Sequence, residues 1–216
     1  VDGETTGLDV KRDRLLSLGA LRLVGHTIRL QDQFERYLPQ EDQRVNDAAI
    51  AIHGIIPNSR RLLFTTEEDL LREFLDYMGR APIVGHHIGF DLAILNGLLE
   101  RNGCGPLVNP WIDTADLAQR IVPKGYWRPD TDYSLDALAK RYRISLSDRH
   151  TALGDCYITA VLWLKLLTRL AEKRHTDLRF GDVFLLPLSF AVLLFALFKT
   201  SGSATGEAFI LVAGVV

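Results

Sequence analysis

The chain has 216 residues, 47% of them hydrophobic and 24% charged, with a formal net charge of −2 at pH 7. That balance allows a real core and excludes a globally disordered chain. The near-neutral charge excludes a broad polyanion-coating surface, but not an enzyme that grips only a short nucleic-acid end. The length suits one ordinary domain with some extra. Two cysteines, Cys104 and Cys156, make neither a disulfide framework nor a zinc site and fit a reduced, cytoplasmic setting. The sequence starts at Val1, and no basic and apolar signal segment precedes its first motif. A fragment cut at its N-terminus is the expectation.

The first nine residues, VDGETTGLD, carry two carboxylates one residue apart, then two hydroxyls and a turn glycine. On a strand, Asp2 and Glu4 point to one face, because side-chain direction alternates with period two. Carboxylates so placed repel each other unless a cation lies between them, and hard oxygen ligands suit Mg²⁺ or Mn²⁺. Leu15 to Val24 alternates imperfectly and reads as a strand. Gly25-His26 turns into a second strand over Thr27–Leu38, giving a three-strand antiparallel meander with the opening stretch. Asn46–His53 has a short helical pattern ending at Gly54. Thr65-Thr66-Glu67-Glu68 reads as a capping box with Thr65 as cap and Glu68 reaching back. Leu70, Leu71, Phe74, Tyr77 and Met78 then form an apolar stripe at helical spacing, which is core.

Ala81–His86 fits a buried parallel strand, and a helix follows from Gly89 to Arg101 with Asp91 in its first turn. Trp111-Ile112-Asp113 reads as a strand leading into a helix over Ala115–Ile121. Pro123–Asp132 is a loop, Ser134 caps a short helix, and Thr151–Lys173 is the longest helix. Strands first, then strands alternating with helices, indicate an α/β layer fold with a mixed sheet. In such a fold the first strand end and two helix N-terminal turns converge at one sheet edge. Asp2, Glu4, Asp91, Asp155 and His150 then meet, with each helix N-terminus favouring the nearby negative charge.

These motifs resemble the DnaQ-like (DEDDh) 3′→5′ exonucleases, the type found in the proofreading ε subunit of bacterial DNA polymerase III. The matching residues are Asp2 and Glu4 in DGETTGLD, Asp91 in VGHHIGFDLAIL, and His150 with Asp155 in HTALGD, with weaker echoes in Ile52–Ile55 and Tyr133–Leu138. The resemblance covers residues 1 to 175, and three motifs in order are far more specific than one. It implies an α/β ribonuclease-H-like domain, a mixed sheet flanked by helices, here with its first strand truncated. It implies that Asp2, Glu4, Asp91 and Asp155 hold two divalent cations, Mg²⁺ or Mn²⁺. One activates a water and the other steadies the leaving 3′ oxygen. His150 is then the general base, a task that suits imidazole. Thr5, Thr6, Leu8 and His53 are expected at the terminal nucleotide. His87 occupies a place where the family often has Asn, and Phe90 either stacks on a base or packs in the core. The partners implied are a single-stranded nucleic-acid 3′ end and a DNA polymerase subunit. RNA trimming is the alternative within the class, and a non-catalytic nucleic-acid-binding or membrane-associated module the alternative outside it.

Taken singly, each residue has a plain structural reading. Asp91 and Asp155 suit helix starts, His150 suits the surface near Arg149, and the basic runs Lys124–Arg128 and Lys140–Arg143 suit solvated faces. The ordered set outweighs these readings.

The chain departs from the family pattern at both ends. Only Val1 precedes Asp2, and Gly3 stands where a bulkier strand residue is usual, so a destabilised site with impaired metal binding is expected. Beyond residue 175 lies an apolar tail, 176–216. Its Val183–Phe198 run spans only ~24 Å as a straight helix, against a hydrocarbon core of ~30 Å. A second apolar run, Ala208–Val216, follows a polar linker. A truncated membrane region or an artefactual tail is favoured over a packed appendage. The basic residues before the run would keep the domain in the cytoplasm, tethered through 183–198.

Overall fold

The computed structural model describes residues 1–39, 55, 62, 64–122, 131–174, 178, 183 and 209–212. Its elements are β1 (Asp2–Thr5), β2 (Leu15–Val24), β3 (Thr27–Tyr37), α1 (Glu67–Met78), β4 (Ile83–Gly85), α2 (Gly89–Arg101), β5 (Trp111–Asp113), α3 (Thr114–Ile121), α4 (Leu135–Arg141), α5 (Ala152–Arg174) and β6 (Phe209–Val212). The expected helix over Asn46–His53, the Lys124–Arg128 run and all of Val183–Phe198 except Val183 lie outside the described residues. Among the described residues no helix is long and apolar enough to cross a membrane.

The sheet is mixed. β1 and β3 both pair antiparallel with β2, β4 pairs parallel with β5, and β6 lies between β2 and β4. β2 is central, and its first seven residues are all buried. This explains its imperfect alternation, since a strand covered on both faces needs no polar side. β3 is an edge strand, and exposed Arg29, Gln31, Asp32 and Gln33 discourage pairing with another chain.

Helices cover both faces of the sheet. One apolar cluster joins Leu18, Ala20 and Ile83 to Leu70, Leu71 and Phe74 of α1 and Leu95, Leu98 and Leu99 of α2. The other joins Leu23, Val84 and Ile112 to Leu117 of α3, Leu138 of α4 and Ile158, Leu162 and Trp163 of α5. The neighbours Ile83 and Val84 enter opposite clusters, as strand alternation requires. The α/β, ribonuclease-H-like arrangement with a mixed sheet and flanking helices is thus the observed one.

One capping assignment is corrected. The cap of α1 is Thr66, not Thr65: Thr66 Oγ1 accepts from the Asp69 amide at 3.1 Å. The Thr65 amide instead donates to the Tyr37 carbonyl at 2.9 Å, which fixes Thr65 at the end of β3 and moves the helix start one residue on. Both threonines precede an acid by three residues, so the local pattern fits either.

Candidate active site

The site grows from the register of β1 on β2. Asp2 lies opposite Gly19 and Glu4 opposite Ser17. A Cβ on Gly19 would come within 2.8 Å of Ala152, so the absence of a side chain lets the first turn of α5 sit directly on β2 opposite Asp2. Asp155, one turn into α5, is thereby carried to β1. Thr151 caps that helix: its Oγ1 accepts from the Gly154 amide at 3.1 Å and donates to the Asp148 carbonyl at 2.9 Å. The turn closes so tightly that a Cβ on Gly154 would fall 1.8 Å from the Asp148 oxygen.

Asp91 arrives from the opposite layer, in the first turn of α2. Its Oδ1 accepts from the Gly3 amide at 3.1 Å. A Cβ on Gly3 would meet Leu15 Cδ1 at 2.9 Å and that same Asp91 oxygen at 3.3 Å. Gly3 is therefore more than a weak strand residue, because its bare backbone admits the third carboxylate.

One carboxylate oxygen each from Asp2, Glu4 and Asp155 lies within 4.8 Å of the others. Asp2, Glu4, Asp91 and Asp155 are all buried. Both oxygens of Asp2, Oε1 of Glu4, Oδ2 of Asp91 and Oδ1 of Asp155 are buried without a hydrogen-bond partner. Burial raises the pKa of all four. For Asp2 the neighbouring Asp91, Glu4 and Asp155 add to it, and Glu4 is pushed up to about 7, with Asp155 as the second cause. Several anionic oxygens converging in a dry site with no donors facing them is the arrangement that hard divalent cations relieve.

The guanidinium of Arg149 reaches this cluster. Arg149 donates from Nη1 to Asp155 Oδ2 at 2.5 Å and from Nε to Asp136 Oδ1 at 2.9 Å. It holds the Asp155 pKa down against burial, and the charge of His150 acts in the same direction. His150 is half-buried, its Nδ1 buried and unpartnered. It has φ 66°, a left-handed conformation costly for a residue with a Cβ and typical of strain kept at functional positions.

The other expected contacts are more dispersed. Thr5 Oγ1 donates to the Gly7 carbonyl at 2.7 Å, and Thr6 Oγ1 donates to Asp13 Oδ1 at 2.9 Å. Leu8 is 75% exposed, presenting an apolar side chain to solvent beside the acidic cluster's own strand. His87 is exposed, with φ 51°, and its amide donates to Asp113 Oδ1. Phe90 is half-buried and packs against the core cluster of α1 and α2, which is the core reading. His53 lies outside the described residues.

Three contributors were not legible in the motifs. Asp13 closes the loop after β1, binding Thr6 and the Asp9 amide. A Cβ on Gly7 would lie 2.6 Å from the Asp13 carboxylate. Asp136 anchors Arg149 from α4. Buried His86 bonds Thr114 Oγ1 through Nδ1 at 2.8 Å and supports the turn that delivers Asp91, with burial and then the neighbouring His87 lowering its pKa to about 3. Each depends on a partner seven or more residues away, and only the Thr-Gly-Asp spacing of Thr6, Gly7 and Asp13 offered a local hint.

Known proteins resemble this chain in sequence and in fold. The RNase_T family model, described as exonuclease, matches residues 1–162. DNA polymerase III PolC-type of Staphylococcus aureus is 31% identical over 175 residues, which cover 79% of this chain but 11% of that protein. The chain thus spans about a tenth of the length of these curated relatives. Among solved structures, E. coli Exonuclease I in complex with a dT13 oligonucleotide superposes with TM-score 0.67 at 23% identity, covering 81% of this chain and 41% of that one. The apo form of Exonuclease I gives TM-score 0.56 at 22% identity, covering 79% and 41%. The fold is shared with these nucleases, and the match over three-quarters of the sequence assigns the chain to the DnaQ-like 3′→5′ exonucleases of the RNase_T family.

Proposed function

We propose that this chain hydrolyses phosphodiester bonds from the 3′ end of single-stranded DNA, releasing nucleoside monophosphates with the help of two divalent cations, Mg²⁺ or Mn²⁺. The observation that carries the reading is the convergence of the buried, unpartnered oxygens of Asp2, Glu4 and Asp155, with Asp91 tied to the same strand. These four residues are the ligands. Cations held there would supply charge stabilisation at the phosphate and the leaving oxygen and a more acidic water.

The chain's own residues supply the remainder. His150 takes the proton of the attacking water on a ring nitrogen, as a general base hinged beside Asp155. Arg149 neutralises Asp155 while no cation is bound and keeps the start of α5 in place through Asp136. Thr5 and Thr6 offer hydroxyls and Leu8 an apolar face to the terminal nucleotide, a mode of holding single strands that tolerates any base sequence. His53 and His87 are assigned to the terminal nucleotide as well, while Phe90 packs against the core. The role is proofreading or repair beside a DNA polymerase, supported by similarity to proteins named DNA polymerase III PolC-type.

The test is an end-resolved digestion. A 5′-labelled single-stranded DNA and its RNA counterpart are incubated with the protein in Mg²⁺, Mn²⁺ or EDTA. The expected result is a DNA ladder shortening from the 3′ end, lost in EDTA and in His150→Ala. Faster shortening of the RNA would move the reading to RNA trimming. No shortening of either strand by folded, metal-bound protein would overturn it.

A further inference from the structure

The face of the sheet that carries Asp2 and Glu4 also carries a hydroxyl. Directly opposed residues of an antiparallel pair point to the same face, with Cβ atoms about 4.5–5.5 Å apart. Glu4 lies opposite Ser17, and Asp2 opposite Gly19. Gly19 is where Ala152 of α5 rests on the sheet. Ser17 is two positions earlier in β2, so it points to that same α5 side, level with Glu4. Tyr37 of β3 continues the row on the far side of Ser17, but its hydroxyl is engaged with Glu35. Glu4 is the acid directly across from Ser17.

Ser17 is an unexpected residue for its position. It is the one polar side chain in Leu15–Leu21, LLSLGAL, a run buried throughout. Its Oγ is buried without a hydrogen-bond partner, and so is Oε1 of Glu4. A buried hydroxyl with no partner costs the fold free energy that an alanine in its place would not. A serine hydroxyl can donate, and an ionised carboxylate only accepts. The two orphaned groups are therefore complementary. A side chain as long as glutamate covers the separation of an opposed pair by a change of rotamer.

We infer that Ser17 is a positioning residue for Glu4: its hydroxyl donates to one Glu4 oxygen while the other faces a divalent cation, which fixes the direction of that ligand. The inference rests on the proposed function, in which Glu4 holds metal. The hydroxyl is then a burden on the metal-free fold and a support in the metal-bound one. A residue kept only for packing would show the reverse, because its loss would weaken the fold whether or not metal is present.

The test measures Mn²⁺ affinity by calorimetry, and thermal unfolding in EDTA, on the full chain and three variants. Ser17→Ala should weaken Mn²⁺ binding by about tenfold, the scale of losing a hydrogen-bond partner behind a metal ligand. Its melting temperature in EDTA should stay at or above that of the unmodified chain. Ser17→Thr keeps a hydroxyl and should keep the affinity. Thr159→Val is the control: Thr159 Oγ1 is likewise buried and unpartnered, one helical turn beyond Asp155, and its removal should leave Mn²⁺ binding unchanged. Full Mn²⁺ affinity in Ser17→Ala would overturn the inference. So would a melting temperature in EDTA that falls together with the affinity, an equal loss of affinity in Ser17→Thr, or an equal loss in Thr159→Val. Absence of Mn²⁺ binding by the unmodified chain would refute the proposed function and this inference with it, whereas binding that Ser17→Ala leaves intact would remove the role of Ser17 alone.

Discussion

Glu4→Gln should stabilise the metal-free protein at pH 8 and barely change it at pH 5. Glu4 is 2% exposed, so solvent does not screen its burden. Burial first, and then the charge of Asp155, raise its pKa from 4.5 to about 7. A raised folded-state value means that the folded state holds the proton more tightly than the unfolded chain does. The advantage is fully present below pH 4.5 and is lost as pH rises through about 7. At about 1.4 kcal/mol per pH unit, the ionised carboxylate costs the metal-free fold about 3 kcal/mol by pH 8. For a domain of this size that is roughly 6–12 °C in melting temperature. The assay is thermal unfolding of wild type and Glu4→Gln in EDTA across pH 5 to 8, read as the difference between the two chains, which cancels every other titrating group. The difference should grow with pH in favour of Glu4→Gln. Mn²⁺ at about 1,000 times its Kd should reverse it, because a ligand at that level stabilises wild type by about 4.1 kcal/mol. A difference that is flat with pH, or that favours wild type in EDTA at pH 8, would refute the reasoning.

His86 acts in the opposite pH direction. Its pKa is lowered from 6.5 to about 3, so its contribution is intact above pH 6.5 and falls as pH drops, by about 2 kcal/mol at pH 5. His86→Gln should show a smaller loss of stability than wild type between pH 7 and 5 in chemical denaturation. Gly154→Ala forces a Cβ to within 1.8 Å of the Asp148 carbonyl and should cost about 2–4 kcal/mol by opening the first turn of α5, seen as a lower melting temperature together with weaker Mn²⁺ binding. Arg149→Met leaves buried Asp155 without its ion-pair partner. It should destabilise the protein by about 3 kcal/mol in EDTA, with most of the deficit removed by Mn²⁺, and equal losses with and without the ion would contradict the placeholder role of Arg149.

Much of the framework could be read locally. The span of α2 follows from the glycine before Phe90 and the apolar spacing up to Arg101, and the β1–β3 meander follows from alternation and the Gly25 turn. The carboxylates stood out because they recur at a strand end and at two helix starts. What escaped detection depends on distant partners. Thr65 and Thr66 are equivalent caps until the end of β3 claims the Thr65 amide. Gly3 looks like a defect until Asp91 is placed beside it from 88 residues away. Arg149 looks like a surface neighbour of His150 until Asp136 and Asp155 close on it. The four residues of β6 are indistinguishable by hydropathy from the apolar run before them, and only the space between β2 and β4 reveals them as a strand.

The measurement that bears most directly on the central claim is the number of divalent ions held by the acidic cluster. Calorimetric titration of the full chain with Mn²⁺ at pH 8, followed by Asp2→Asn and Asp155→Asn, counts them without reliance on turnover. The account predicts two ions per chain, with binding at both sites weakened in Asp2→Asn and the stoichiometry reduced in Asp155→Asn. No saturable binding by the folded chain, or two ions retained at full affinity in both variants, would contradict it.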